Sequence, residues 1–213
     1  MDKQLAYWKG QLAGDLPRLD LPLDAAIARA PERISYLTAA ARSEVVAEND
    51  YAGGRVALPL SEELTAALKA LSRRERVTQF MTMLASFQLL LSRYSGQVDV
   101  LLGTPIAGRN RVETEPLIGF FIGTLVLRAN LAGVASFREL LHRTSKTALD
   151  AYENQDVPFE KLVEELQPER QIGRNPLFDV LINYAPAAQL DLLQIDGIEA
   201  TQLFAGDAQS KFG

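Results

Sequence analysis

Apolar residues recur along much of the chain at spacings of three and four, the pattern typical of amphipathic helices. The strongest instance predicts a helix that begins after Thr78, as its N-cap, and stops at Gly96. Its predicted inward positions are Phe80, Leu84, Phe87, Leu91 and Tyr94. A helix of this length needs a packing partner for its apolar face, so the pattern already indicates a folded core.

Similar patterns predict four more helices. Residues 2–13 favour a short one, Ser61 can cap one that reaches about Arg74, and Ser136 can cap another long one. Asp156 and then Pro158 mark the start of a helix that ends before Pro168. Predicted inward positions are Leu64, Ala67, Leu68 and Leu71 after Ser61, and Phe137, Leu140, Leu141, Thr144, Ala148 and Tyr152 after Ser136.

Short apolar runs between these helices predict strands. The predicted strands are Arg55–Leu60, Val98–Gly103, Phe121–Leu131, Leu177–Tyr184 and Ile195–Phe204, the last of which could also be a hairpin around Asp196-Gly197. Residues 14–52 show no strong period and are expected to be a connector. Because helices and strands alternate, the sequence predicts a layered α/β sandwich.

Composition narrows the class of protein. The chain has 213 residues, enough for one domain or one large lobe, and a formal net charge of −5, which argues against a nucleic-acid partner. It has no cysteine, which excludes disulfides, cysteine-bound zinc and a thiol nucleophile and fits a cytoplasmic location. The longest nearly apolar run, Pro116–Leu127, is too short to span a bilayer as a helix, so no membrane partner is expected.

Candidate chemistry is sparse. His142 is the only histidine, and because Arg138 and Lys146 lie one turn away, we interpret it as a surface residue without an orienting carboxylate. Asp156 and Glu160 are spaced to share one side of a helical turn and could divide acid and base roles, but an N-cap role for Asp156 is favoured. No spacing suggests a metal site.

The segment Gly103–Asn110 nearly fits a phosphate-binding loop. Arg109 and Asn110 stand where that pattern has a lysine and a hydroxyl residue, and Pro105 removes one backbone amide. We therefore interpret the segment as a strand-to-loop turn. By residue chemistry alone, the chain offers no complete catalytic site.

Three segments carry a family resemblance in a fixed order. They are LIGFFIGTLVLR (117–128), NQDVPFE (154–160) and RQIGRNPLF (170–178), preceded by LAYWKGQL, LDLPLD and the stretch from TQFMTML to AGRNR. Together they resemble the late motifs of nonribosomal peptide synthetase condensation domains. The catalytic HHxxxDG motif of that family has no counterpart here.

The resemblance implies the C-terminal lobe of a fold like that of chloramphenicol acetyltransferase, with a mixed β-sheet packed by helices. Residues 1–52 would be a helix and connector leading from the missing N-terminal lobe, and residues 53–213 the C-terminal lobe, truncated at its end. In the full enzyme, the two lobes enclose a tunnel that joins an upstream acyl or peptidyl thioester to a downstream aminoacyl amine. No cofactor is expected to bind directly, because the substrates arrive on the phosphopantetheine arms of carrier proteins.

The resemblance also assigns residues by position. Gly119, Phe120, Phe121, Gly123 and Thr124 would line the tunnel. Asp156, Pro158, Phe159 and Glu160, and likewise Arg174, Asn175 and Pro176, would be architectural. Gly123 replaces the asparagine usual in the family, which suggests an altered acceptor site or a wider channel, and residues 30–50 look like an insertion.

Two hypotheses follow from the resemblance. In the first, the chain is the C-terminal lobe of a condensation domain, inactive alone, whose partners are peptidyl carrier proteins, the N-terminal lobe and an adenylation domain. In the second, it is a non-catalytic module that docks carrier proteins, for which Arg109, Arg111 and Arg128 are the candidate contacts. A free-standing acyltransferase is rejected, because Lys146 stands where an HxxxD motif starting at His142 would need aspartate. An exposed apolar face and self-association are also expected.

Overall fold

The computed structural model of the chain describes residues 1–21, 56, 58–109, 112–168 and 175–185. This part of the chain contains five α-helices and two β-strands. The helices are α1 (Asp2–Gln11), α2 (Glu62–Glu75), α3 (Gln79–Ser95), α4 (Phe137–Glu153) and α5 (Phe159–Leu166). The strands are β1 (Asp99–Ile106) and β2 (Gly123–Asn130), and a 3₁₀ turn covers Val112–Thr114. The predicted α/β class is confirmed, but the elements run as three helices, two strands and two helices, so the predicted alternation is absent from the described residues.

Three predicted helix caps are confirmed. The hydroxyl oxygens of Ser61, Thr78 and Ser136 each accept a hydrogen bond from the backbone N–H three residues later, at 3.1–3.2 Å. Gly96 ends α3 in the left-handed region, with a φ of 73°. These caps form between residues close in sequence, so local chemistry sets where the long helices begin and end.

Strands β1 and β2 pair antiparallel over their full length, from Asp99 opposite Asn130 to Ile106 opposite Gly123. A third segment joins β1 in parallel, where Gly103 N donates to Val180 O and Ile182 N donates to Gly103 O, each at 2.9 Å. The sheet is therefore mixed, as predicted. In the described residues, the predicted strand Leu177–Tyr184 is reduced to this bridge.

β1 runs three residues past its predicted end at Gly103. Pro105 lies within the strand opposite Thr124, although it has no N–H to donate. A strand tolerates such a residue near its end, and pairing with β2 offsets the missing donor. The interpretation of Gly103–Asn110 as a turn is therefore wrong for its first four residues.

The sheet is covered on both faces. Neighbouring residues such as Leu101 and Leu102 in β1, or Leu125 and Val126 in β2, are all buried, although their side chains point in opposite directions. Helices α3 and α4 pack against each other and against the sheet, and α5 contacts β2. Trp8 of α1 is fully buried in the same core cluster as β1 and β2.

Helix α1 is bound to the rest of the chain by polar contacts as well. The Trp8 Nε1 donates to the carbonyl of Asn154 at 2.8 Å, and Lys9 forms an ion pair with Glu165 at 2.7 Å. The division at residue 52 stays a prediction, but α1 contributes to the core that the later elements form.

Several predicted positions are wrong. Leu64 is 46% exposed and Ala67 is also exposed, whereas Leu68 and Leu71 of the same stripe are half-buried. The contact between α2 and α3 includes the hydroxyls of Ser72 and Thr82, 2.8 Å apart. Tyr94, near the end of α3, is exposed too.

The predicted strand Arg55–Leu60 is also wrong where it is described. Residues 56 and 58–60 are not in a strand, their side chains are exposed, and the described part of the chain has no strand paired with them. The connector from residue 22 to 52, the insertion at 30–50 and the strand Ile195–Phe204 lie outside the described residues.

Candidate functional site

An open cavity of about 330 Å³ lies where the end of β1 and the start of β2 meet the start of α5. It is lined by Ile106, Gly108, Phe121, Ile122, Gly123, Thr124, Gln155, Asp156, Val157, Pro158, Phe159 and Glu160. Two motif segments distant in sequence therefore meet at one place. Two other cavities, between α2 and α3 and at the α3–α4 junction, contain none of these motif residues.

Three of the five residues predicted to line a tunnel are at this cavity. Phe121, Gly123 and Thr124 contribute to its wall, whereas Gly119 and Phe120 do not. The side chain of Phe120 is 86% exposed. Phe120 and its neighbour Phe121 therefore differ, since only Phe121 lines the cavity.

Gly123 sets the width of the cavity beside Ile106. The two residues are paired in the last register position of β1 and β2. A Cβ at position 123 would lie 3.3 Å from Ile106 Cγ1 and 3.5 Å from its Cδ1. A larger residue at position 123 would therefore touch Ile106 and fill space that is open in this chain.

Asp156 does not cap α5. The helix begins at Phe159, with Pro158 in the N-cap position and no side-chain cap bond there. The predicted cap role of Asp156 is therefore wrong. Asp156 exchanges two hydrogen bonds with Gln4 of α1: its Oδ2 accepts from Gln4 Nε2 at 3.1 Å, and its backbone N–H donates to Gln4 Oε1 at 3.2 Å. A partner 152 residues away leaves no local signal in the sequence.

The aromatic residues of two motifs pack under the cavity. Phe159 lies edge-on to Phe178, with ring centroids 5.9 Å apart. The Phe178 ring fills the space over Gly103, where a Cβ would lie 2.3 Å from Phe178 Cζ. These contacts hold the start of α5 against β1, and the architectural role of Phe159 stays a prediction.

Asn175 and Pro176 form a turn before the third segment of the sheet. Asn175 Oδ1 accepts hydrogen bonds from Leu177 N and Phe178 N, at 3.0 and 3.3 Å. Arg18 donates to the carbonyls of Asn175 and Pro176, at 2.8 and 3.2 Å. Asn175 and Pro176 are therefore in structural contacts, and Arg174 lies outside the described residues.

Two of the arginines predicted to dock carrier proteins are engaged within the chain. Arg109 donates to the backbone carbonyls of residues 114, 115, 117 and 119 and lies over the Phe121 ring. Arg128 holds the Asp99 carboxylate at 2.7–3.1 Å and donates to the Ala13 carbonyl at 2.8 Å. The hydrogen bonds to Asp99 raise the pKa of Arg128 above its usual value. Arg111 lies outside the described residues, so the docking role stays a prediction.

His142 is exposed on α4 and does not line the cavity. Contrary to the sequence interpretation, it has a carboxylate nearby: Glu75 Oε2 lies 3.4 Å from His142 Nε2. Glu75 comes from α2, and spacing along α4 could not reveal it. It also binds Arg138 and Arg74, and the hydrogen bond from Arg138 is the main cause of a lowered pKa for Glu75.

Residues 112–122, which we name the apolar loop, expose a group of large hydrophobic side chains. They are Val112, Leu117, Ile118, Phe120 and Ile122, and Ile118 is fully exposed. Isolated exposed apolar residues are common on protein surfaces, but a contiguous group marks a contact surface. The apolar loop therefore exposes hydrophobic side chains beside the start of β2, and its identity with the expected lobe face stays a prediction.

A sequence model of the condensation-domain family matches residues 1–211. The chain is 51% identical over 179 residues to one component of the linear gramicidin synthase of Brevibacillus parabrevis, covering 84% of this chain and 3% of that protein. It is 47% identical over 206 residues to another component of the same synthase, covering 95% of this chain and 4% of that protein. The chain thus spans a few per cent of the length of these curated relatives.

Solved structures share the fold. A four-domain nonribosomal peptide synthetase bound to AMP and glycine superposes with a TM-score of 0.70 at 19% identity, over 91% of this chain and 14% of that one. The first condensation domain of the CDA synthetase gives 0.63 at 18% identity, over 87% of this chain and 35% of that one. In the described part of the chain, none of the helices is long and apolar enough to cross a membrane.

Proposed function

The chain belongs to the condensation-domain family, and from this membership we propose that it is the C-terminal lobe of a condensation domain in a nonribosomal peptide synthetase. In the complete enzyme, this lobe would form one wall of a tunnel in which an acyl or peptidyl thioester is joined to the amine of an aminoacyl thioester. The bond formed is an amide, and the thiol of the upstream carrier arm is the leaving group.

The observation that carries the proposal is the cavity between the apolar loop and α5. Phe121, Gly123 and Thr124, predicted to line the tunnel, share this cavity with Asp156 and Phe159. Its lining is mixed, with apolar rings beside hydroxyl, amide and carboxylate groups. Such a lining fits a phosphopantetheine arm, which carries two amide groups on a largely saturated chain.

This lobe would act by holding substrates in place. Placing two bound reactants in a reactive geometry is itself a large catalytic effect. The chain's one histidine, His142, lies away from the cavity, so we assign the proton-accepting group to the N-terminal lobe. The isolated chain is therefore expected to be inactive.

The proposed partners follow from the same reaction. They are the peptidyl carrier proteins that present both substrates on phosphopantetheine arms, the N-terminal lobe, and an adenylation domain in the parent synthetase. A cytoplasmic location is part of the proposal, because adenylation of amino acids uses cytoplasmic ATP. No cofactor held by the chain itself is proposed.

The test is a condensation assay with loaded donor and acceptor carrier proteins, run with this chain alone, the N-terminal lobe alone, and both together. We expect the amide product by mass spectrometry only when both lobes are present. Product from this chain alone would contradict the proposal and return attention to His142. Carrier binding without product in any mixture would favour the alternative of a non-catalytic docking module.

A further inference from the structure

One guanidinium organises the apolar loop. Arg109 Nη1 donates to the carbonyls of Thr114, Glu115 and Leu117, at 2.7, 3.3 and 2.5 Å, and its Nη2 donates to the carbonyl of Gly119 at 3.2 Å. An arginine side chain has several donors in a rigid planar group and no acceptor, so it suits a cluster of carbonyls. The hydrogen bonds of Arg109 therefore join backbone positions from 114 to 119 in a loop that has little regular structure.

The same side chain also fixes the cavity wall. The Arg109 Cζ lies 4.3 Å from the centroid of the Phe121 ring, within the range of a cation–π contact. Phe121 lines the cavity, whereas Arg109 is not among its lining residues. Arg109 thus reaches the candidate site through Phe121 and the loop backbone.

The residue before Arg109 permits this arrangement. Gly108 has a φ of 63°, in the left-handed region that favours glycine. A Cβ at position 108 would lie 1.9 Å from the carbonyl oxygen of Phe121. The backbone just after β1 and the backbone just before β2 approach each other here, and Arg109 follows directly.

We infer that Arg109 is a positioning residue, which holds the apolar loop and the Phe121 ring in the geometry that forms the cavity wall. The inference rests on the proposed function for its catalytic consequence. It differs from the docking role predicted from the sequence, in which the Arg109 charge would attract a carrier protein. Here the guanidinium contacts the loop, and its effect on the substrates is indirect.

The test compares Arg109→Ala and Arg109→Lys with wild type, and uses Arg93→Ala as a control that removes an exposed arginine from α3, outside the cavity. Amide hydrogen exchange on the 213-residue chain measures order in residues 112–122. The two-lobe condensation assay measures kcat and KM for each loaded carrier protein. Both readouts are needed, because hydrogen exchange shows whether Arg109 orders the loop, whereas the kcat-against-KM comparison separates a catalytic effect of positioning from carrier docking.

In Arg109→Ala, we expect exchange in residues 112–122 to rise about tenfold or more, with no change in α3 and α4. We expect kcat to fall by about 100-fold, the size of effect that a misplacement of about 1 Å can have, while KM changes less than about threefold. Arg109→Lys should recover only part of the loss, because a lysine ammonium cannot reproduce the planar fork. Arg93→Ala should match wild type in both measurements.

Two outcomes would overturn the inference. A raised KM with unchanged kcat in Arg109→Ala would assign Arg109 to carrier docking, and unchanged exchange in residues 112–122 would mean that Arg109 does not hold the loop. If wild-type lobes together form no product, the proposed function fails. In that case, the exchange measurement alone decides whether Arg109 positions the loop.

Discussion

Two glycines in this fold differ in whether the surrounding packing leaves room for a side chain. Gly103 in β1 lies under the Phe178 ring, where a Cβ would be 2.3 Å from a ring carbon. Gly10 lies in α1, and a Cβ there would meet nothing within 4 Å. Of the two, only Gly103 is required by packing.

We therefore expect Gly103→Ala to lower the free energy of unfolding by about 1–3 kcal/mol, the usual cost of overpacking a core. Gly10→Ala should leave it unchanged or raise it by up to about 1 kcal/mol, because alanine is the better helix former. Urea unfolding monitored by circular dichroism measures both. Equal losses in the two variants would contradict the packing explanation, and Phe178→Leu should restore part of the loss in Gly103→Ala.

At the scale of elements, one carboxylate joins α2 to α4. Glu75 at the end of α2 bonds to Arg138, with His142 of the same helix 3.4 Å away, and its side chain is only 8% exposed. Its pKa lies below the ordinary value of 4.5, chiefly because of the hydrogen bond from Arg138. A group with a lowered folded-state pKa stabilises the fold above its unfolded pKa, and that stability is lost as the pH falls through the folded-state pKa.

We accordingly expect Glu75→Gln to be less stable than wild type at pH 7, with a difference that shrinks below about pH 4.5 and vanishes in stronger acid. Urea unfolding at about pH 7, 5 and 3 tests this. Glu164→Gln is the control, because its ion pair with Lys161 lies within one helix, is exposed, and should contribute little at any pH. A deficit in Glu75→Gln that stays constant across this range of pH would mean that the ionised carboxylate is not its source.

Elements defined by local chemistry can be predicted from the sequence, and contacts between distant elements cannot. The hydroxyl caps at Ser61, Thr78 and Ser136 join residues three apart, so their pattern is visible in the sequence. Asp156 binds Gln4, 152 residues away, and its predicted cap role is wrong for that reason. Leu64 and Ala67 of α2 are wrongly predicted to face inward, because periodicity shows which residues share a face but not what covers it.

The same limit applies to the candidate site. The family motifs predict that Phe121, Gly123 and Thr124 line a tunnel. They do not predict that these residues lie beside Asp156 and Phe159, because that contact depends on how α5 packs. The contacts of Arg109 are hidden from sequence reasoning because its partners are backbone carbonyls, which every residue has and no sequence pattern marks.

At the scale of the whole molecule, the apolar loop should make the isolated chain associate with itself. Exposed apolar groups of this kind are usually covered in the functional assembly. We expect sedimentation velocity to give a weight-average mass that rises with concentration. Substituting Ile118→Asp together with Phe120→Ser should lower it toward the monomer value.

Leu149→Ser is the matched control for that experiment, because Leu149 is an exposed leucine on α4 outside the apolar loop. It should associate like wild type. Adding the N-terminal lobe should also suppress self-association if it covers the same surface. A wild-type chain that stays monomeric over a roughly 100-fold range of concentration would contradict the prediction.

The burial of Trp8 also constrains how the chain can fold during synthesis. Its indole N–H binds the carbonyl of Asn154, which the ribosome adds 146 residues later. At about 5–20 residues per second, Asn154 follows Trp8 by roughly 7–30 s, so α1 cannot complete its packing before that time. Trp8 is the only tryptophan in the chain, so its fluorescence would report the moment at which the early-made helix finally docks.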